Sequence, residues 1–180
     1  INVGQVITPS DAMTLVPANA PDYVRAEIRS GLAAAKLGFQ GYFDNWGGFP
    51  AARSRLLKAA QAADADLIVL SGDSHNGWAF EFAEDGRPAG VEFGGHSVTS
   101  PGYETYLTGA TPETVARSLV ASSPELKWAD TSGRGYMAIE LSPERVTGEW
   151  VMMEGIRTRS LSTRDSHRMS VERGRRVFSS

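Results

Sequence analysis

The chain has 180 residues, of which 41% are hydrophobic and 22% charged, and its net charge is −3. This length and composition predict one globular domain and exclude collagen-like and intrinsically disordered classes. The chain has no cysteine, so disulfides, thiolate metal sites and a cysteine nucleophile are excluded. No apolar run approaches the roughly 18 residues of a membrane helix, so we expect no membrane span.

The charge is distributed unevenly along the chain. Residues 157–180 contain seven arginines against Asp165 and Glu172, which gives this segment a charge of +5. Serines and threonines alternate with the arginines, which is typical of a strand or a solvated tail, and we expect no nucleic-acid specificity. We therefore divide the chain at residue 156. The first residue is Ile1 rather than Met, so we expect a processed chain or a piece of a longer one, with any signal peptide already removed.

The first half of the chain predicts alternating strands and helices. The β-branched residues 3–7 predict a strand, and a helix follows from Pro21 until Gly38 stops it. Residues 41–50 are rich in aromatic residues and glycine, which no regular element favours. An alanine-rich helix then covers residues 51–63, and residues 66–70 predict an apolar strand buried on both faces.

Two hairpins dominate the second half. The alternating segments 78–82 and 89–93 flank the turn signal Asp85-Gly86, and the segments 135–141 and 146–153 form the second pair. Between them, Thr111 and Pro112 mark the start of a helix. This order predicts an α/β layered domain with a mixed sheet.

Candidate functional residues follow the apolar strand directly, in the segment from Ser71 to Trp78. The carboxyl end of a strand in an open α/β sheet is a common ligand site. Asp73 and His75 lie two residues apart there, and a carboxylate and an imidazole are both metal ligands. An ordinary Asx-type turn with a surface histidine is the alternative.

A second candidate site is the aromatic loop. Asp44, Asn45 and Trp46 precede two glycines, and Arg53 follows on the next helix, so these residues offer a pocket for an anionic substrate. The alternative is that Trp46 and Phe49 only fill the core beneath the loop. A third segment, residues 92–102, contains His96. We interpret it as an ordinary surface residue, and a metal ligand and a general acid are the alternatives.

Taken together, these segments resemble one family. They are similar to the carboxyl-terminal half of the PhoD-type alkaline phosphatases. The likeness rests on Asp44-x-Trp46-x-Gly48-Phe49 with Arg53, on residues 67–75 with Trp78-Ala79, and on residues 91–93 and 97–102. Residues 126–130, 134–136 and 141–145 continue the likeness, which covers roughly residues 1–155. The chain departs from the family pattern at Gly47, Phe49 and Glu125.

The resemblance implies a layered α/β/β/α metallophosphoesterase sandwich, of which residues 1–156 are the carboxyl-terminal half and residues 157–180 a basic strand or tail. It implies a hydrolase of phosphate esters, an alkaline phosphatase or phosphodiesterase acting through a metal-bound hydroxide, with iron and calcium as cofactors. Asp73 and His75 would be catalytic metal ligands and Asp44 a further ligand. Asn45, Trp46 and Arg53 would bind substrate. Such enzymes are exported, so we expect a periplasmic or secreted location.

The family's amino-terminal metal-binding segments are missing from these 180 residues. We therefore expect the chain alone to be inactive and to need the missing amino-terminal half of the same domain as its partner. The alternative function is a non-catalytic fragment or interaction module that retains the phosphatase-like sheet.

Overall fold

The computed structural model describes residues 2–38 and 45–179. They form three α-helices and seven β-strands, and the predicted elements occur in the predicted order from the first helix onward, with an additional strand at Leu126–Asp130 that was not predicted. The elements are α1 (Asp22–Lys36), α2 (Pro50–Ala62), β1 (Leu67–Ser71), β2 (Gly77–Glu84), β3 (Arg87–Gly94), α3 (Pro112–Ser122), β4 (Leu126–Asp130), β5 (Gly135–Leu141), β6 (Arg145–Met153) and β7 (Thr163–Glu172).

The strands form two sheets. The first has the order β1-β3-β2-β4, in which β1 pairs with β3 in parallel and the other pairs are antiparallel. The second is the antiparallel sheet β5-β6-β7. The mixed sheet and both hairpins are as predicted. Asp85 and Gly86, with φ of 50° and 72°, form the turn of the first hairpin, because a two-residue hairpin turn favours residues that tolerate positive φ.

Alternation along β2 explains the layers. Trp78, Phe80 and Phe82 pack with α1, α2 and α3 on one side of the first sheet. Ala79 lies on the other side, in a core shared with Trp150 and Met152 of the second sheet. The layers are therefore helices, first sheet and second sheet, which is an α/β/β arrangement consistent with part of the predicted α/β/β/α sandwich. On the outer face of the second sheet Tyr136 and Glu140 are exposed, and no helix in residues 2–38 or 45–179 covers them.

Two predictions about strands are wrong. Residues 3–7 are not a strand, because their backbone amides donate to side chains: Val3 and Gly4 to Glu92, Gln5 to Glu125 and Ile7 to Ser123. The strand β1 is not buried on both faces, since it lies at the edge of its sheet and Leu70 is 55% exposed.

The basic segment is tied to the rest of the chain. The strand β7 pairs with β6 along its length, and Arg168 pairs with Glu149 at 2.7 Å. Arg176 pairs with Asp64 and Asp66 beside the start of β1, and the Phe178 ring packs edge-on against Phe93 at 5.3 Å. Several of the arginines thus neutralise acidic groups of the same chain. None of the helices in the described parts of the chain is long and apolar enough to cross a membrane.

Candidate functional site

The loop that follows β1 has an unusual backbone. Asp73 and His75 have φ of 74° and 61°, in the left-handed region that residues other than glycine seldom adopt. Asp73 is exposed and His75 is half-buried. Such conformations persist only where the surroundings hold them, and they cluster at functional sites. The loop therefore presents the two predicted ligands at the carboxyl end of the strand.

A buried amide fixes this loop. Asn76 is 1% exposed; its Nδ2 donates to the Ser74 carbonyl at 2.6 Å, and its Oδ1 accepts from the Tyr103 amide at 3.1 Å. The ring of His75 is held by the same neighbouring segment, because its Nδ1 lies 3.0 Å from the Pro101 carbonyl oxygen. A carbonyl oxygen accepts only, so Nδ1 carries the proton and the lone pair lies on Nε2.

The donor set suits a metal but does not complete a site. A carboxylate and a neutral imidazole with a fixed tautomer are the groups that ligate divalent transition metals, and a carbonyl on the other ring nitrogen is their usual support. Within residues 2–38 and 45–179, however, no group of three or more histidine, aspartate or glutamate residues converges on one point. With Asp73 and His75 alone, most coordination positions of a metal cluster would have to be filled by ligands from outside the described residues.

The aromatic loop is described only from Asn45 onward, so Asp44 lies outside the described residues. Asn45 begins a short 3-10 turn and its side chain accepts from the Gly47 amide at 3.0 Å. The Trp46 amide donates to the Asn2 carbonyl, and the Asn2 side chain reaches Ser71, the last residue of β1. These contacts put Trp46 near the carboxyl end of β1, while its ring packs against the helix-side core. That it shares a pocket with His75 stays a prediction.

Arg53 is buried and is held by Glu125 and by the amino-terminal segment. Its Nη2 lies 2.6 and 2.7 Å from the two Glu125 carboxylate oxygens, and its Nε donates to the Val3 carbonyl at 2.8 Å. The guanidinium also lies 5.5 Å from the centre of the Phe82 ring. In this structure Arg53 therefore joins α2 to the amino-terminal segment and to Glu125. Its predicted role in substrate binding stays a prediction.

Sequence reasoning missed a buried carboxyl group. Glu92 on β3 is 0% exposed and accepts from the Asn2 side chain and from the Val3 and Gly4 amides at 2.7–3.0 Å, and from the Ser71 hydroxyl. Burial raises the pKa of this carboxyl above its usual value. In the observed register Glu92 pairs with Phe80, so it belongs to the face that packs on the helices. The sequence carries no signal for this, because the register shifts between Phe82 and Ala83 and counting from the hairpin turn would place Glu92 on the other face.

His96 is not a surface residue, contrary to the favoured interpretation. It is 9% exposed, and neither ring nitrogen has a hydrogen-bond partner among the described residues. Burial lowers the pKa of its imidazole. His167 also has neighbours that the sequence did not reveal, since its ring stacks on Trp128 at 4.3 Å with only 6° between the planes.

Comparison with known proteins identifies a family and a related fold. A sequence model of the PhoD-like phosphatase family matches residues 12–150. A solved structure described as "Structure of PhoD" has 23% sequence identity with this chain and a TM-score of 0.59, over 76% of this chain and 26% of that one. The chain thus spans about a quarter of that protein's length, and at this identity the likeness establishes the fold alone. No curated protein matches the chain.

Proposed function

Because this chain belongs to the PhoD-like phosphatase family, we propose that it is part of a metal-dependent phosphoric ester hydrolase, an alkaline phosphatase or phosphodiesterase. The observation that carries the proposal is the loop after β1. It holds a carboxylate and an imidazole two residues apart, each on a left-handed residue, at the carboxyl end of a strand. Sparsely populated backbone conformations occur in ordinary turns but are concentrated at functional sites.

In this proposal Asp73 and His75 are catalytic metal ligands and Asp44 is a third. His75 binds through Nε2, since Nδ1 is engaged by Pro101. A bound metal ion supplies Lewis-acid chemistry, because it polarises phosphoryl oxygens and lowers the pKa of water enough to provide hydroxide near neutral pH. Iron with calcium is the pair that the family resemblance suggests.

The substrate contacts are proposed to come from Asn45, Trp46 and Arg53. In this structure the guanidinium of Arg53 holds the Glu125 carboxylate through two short hydrogen bonds. A guanidinium binds phosphate oxygens as it binds carboxylate oxygens, so a phosphate ester would compete with Glu125 for Nη2 of Arg53.

The partner in this proposal is the amino-terminal half of the same domain. Two features support it: the chain covers 26% of the matched PhoD chain, and the described residues leave one side of β1 without a neighbouring strand. A parallel edge strand with an exposed Leu70 is unusual, because parallel sheets are normally covered on both faces. We also propose export to the periplasm or the medium, as in the family.

The test is reconstitution. The purified chain is assayed on bis(4-nitrophenyl) phosphate with iron and calcium, alone and after mixing with a separately produced amino-terminal half of a full-length family protein. We expect no turnover from the chain alone and metal-dependent turnover from the mixture. Binding of the two halves without turnover would favour the alternative, a non-catalytic interaction module.

A further inference from the structure

We propose that Glu104 and Arg134 are positioning residues for His75. They hold residues 101–104 in place, and the Pro101 carbonyl oxygen of this segment accepts a hydrogen bond from Nδ1 of the imidazole. The ion pair thereby selects the tautomer with its proton on Nδ1 and leaves the Nε2 lone pair for the ligand. The use of that lone pair rests on the proposed function, whereas the tautomer itself does not.

Arg134 is anchored on its own turn. Its Nη1 donates to the carbonyls of Ser132 and Gly133 at 3.0 and 2.8 Å, and its side chain is 10% exposed. The turn joins β4 of the first sheet to β5 of the second. The position of the guanidinium is therefore fixed by a turn that is attached to both sheets.

Glu104 links Arg134 to Gly102, the residue that follows Pro101. One carboxylate oxygen, Oε1, accepts from Arg134 Nη2 and from the Gly102 amide at 3.3 Å. The Glu104 amide donates to the Thr131 carbonyl at 3.2 Å, which binds the same residue to the turn a second time. The Pro101 carbonyl and the Gly102 amide belong to the same planar peptide unit. A hydrogen bond that holds the Gly102 amide therefore also fixes the direction of the Pro101 carbonyl.

Close packing leaves this segment little freedom. A side chain at Gly102 would place its Cβ 2.5 Å from Asn76 Oδ1, 3.0 Å from Glu104 Oε2 and 3.1 Å from the His75 carbonyl oxygen. Asn76 Oδ1 also accepts from the Tyr103 amide, so the loop that bears His75 and the segment that bears Pro101 are joined on both sides of Gly102. Loss of the charge on Glu104 would weaken its hydrogen bond from the Gly102 amide and thereby loosen the position of the Pro101 carbonyl beside His75.

Among the described residues, the Pro101 carbonyl is the one group that hydrogen-bonds the His75 ring. Nε2 of His75 has no hydrogen-bond partner among the described residues, so the Pro101 carbonyl is the group that decides which nitrogen is protonated. Fixing the ring through a hydrogen bond on its second nitrogen is a common way to orient a metal-binding imidazole.

The experiment reads the tautomer directly. Nitrogen-15 long-range correlation spectra of the purified 180-residue chain, without metal, show which ring nitrogen of each histidine is protonated, and His75→Asn assigns the signal. We expect the Nδ1–H form of His75 in the unmodified chain at pH 8. In Glu104→Gln and Arg134→Lys the His75 signals should shift toward the Nε2–H form, whereas Glu113→Gln, which changes an exposed glutamate on α3, should leave them unchanged.

The outcomes are decisive for this proposal and separate it from the proposed function. The Nε2–H form in the unmodified chain, or an unchanged tautomer in two folded variants, would overturn it. Failure of both variants to fold would also overturn it, because the pair would then hold the sheets together rather than the imidazole. The measurement needs neither metal nor substrate, so reconstituted turnover can succeed or fail independently.

Discussion

Arg53 and Glu125 form a two-point ion pair across 72 residues of sequence, with Nη2 2.6 and 2.7 Å from the two carboxylate oxygens. The arginine side chain is 9% exposed and the glutamate 21%. The pair lies where three parts of the chain meet, since Arg53 also holds the Val3 carbonyl and Glu125 also accepts from the Gln5 amide. It explains how the amino-terminal segment is held without strand pairing.

Removal of Glu125 should therefore destabilise the fold. Glu125→Ala leaves the buried guanidinium with the Val3 carbonyl as its one hydrogen-bond partner among the described residues, and breaking a buried pair from one side lowers the free energy of unfolding by about 3 kcal/mol. Urea unfolding measures it. Lys127→Ala, which removes a more exposed pair with Glu81, is the control, with a loss of about 0.5 kcal/mol. Equal effects in the two variants would contradict this role for Arg53.

The amino-terminal segment should tolerate no side chain at Gly4. A Cβ there would lie 2.2 Å from the Phe80 ring, which is 0% exposed. Overpacking of this kind lowers the free energy of unfolding by roughly 1–3 kcal/mol, so Gly4→Ala should lower the melting temperature. Gly155→Ala is the matched control, because nothing lies within 4 Å of a Cβ at that position. A Gly4→Ala chain as stable as Gly155→Ala would show that the segment is not packed as described.

The buried His96 should make stability depend on pH. Burial lowers the pKa of its imidazole in the folded chain below the usual 6.5, so the unfolded chain binds more protons below that pH. The free energy of unfolding should fall as pH drops from 6.5 toward the folded pKa, by about 1.4 kcal/mol for each unit between the two pKa values.

Unfolding curves at pH 7.5, 6.5 and 5.5 for the unmodified chain and for His96→Gln measure the effect, since the variant should lose this part of the slope. Burial also lowers the pKa of His167, which contributes with the same sign, so His167→Gln is measured beside it. A His96→Gln chain with an unchanged slope would contradict the burial of His96.

The carboxyl-terminal residues should contribute to stability although the family match ends at residue 150. The Phe178 ring packs edge-on against Phe93, and its amide donates to Glu81 at 2.8 Å. Phe178→Ala should lower the free energy of unfolding by about 2 kcal/mol, less than for a fully buried phenylalanine because this one is half-buried. Leu161→Ala, at a residue 95% exposed, should have almost no effect. Equal melting temperatures for the two variants would show that the tail does not pack on the sheets.

Sequence patterns predicted the elements that local chemistry determines. Thr111 caps α3 by accepting from the Thr114 amide, Pro112 begins that helix, and Asp85-Gly86 turns the first hairpin. Each signal acts within a few residues, so it can be recognised without knowledge of the rest of the fold.

The predictions that failed depended on distant partners. Residues 3–7 have the composition of a strand, but Glu92 and Glu125 satisfy their amides from about 90 and 120 positions away. His96 has mostly polar and small neighbours in the sequence, yet it is 9% exposed and its Nε2 lies close to Gly135 of the second sheet. In the candidate site, the sequence singled out Asp73 and His75, whose role as ligands stays a prediction, whereas the Glu104–Arg134 pair needed the fold to bring two loops together.

Metal content of the reconstituted protein tests the central claim most directly, namely that Asp73 and His75 are metal ligands. Inductively coupled plasma mass spectrometry compares the unmodified chain, Asp73→Asn and His75→Asn, each mixed with the amino-terminal half. Asparagine tolerates a left-handed backbone, so both variants keep the loop. Asp85→Asn, with φ of 50° in a hairpin turn, is the matched control. We predict that Asp73→Asn and His75→Asn bind less metal and lose turnover together while Asp85→Asn keeps both; unchanged metal content in the two loop variants would contradict the account.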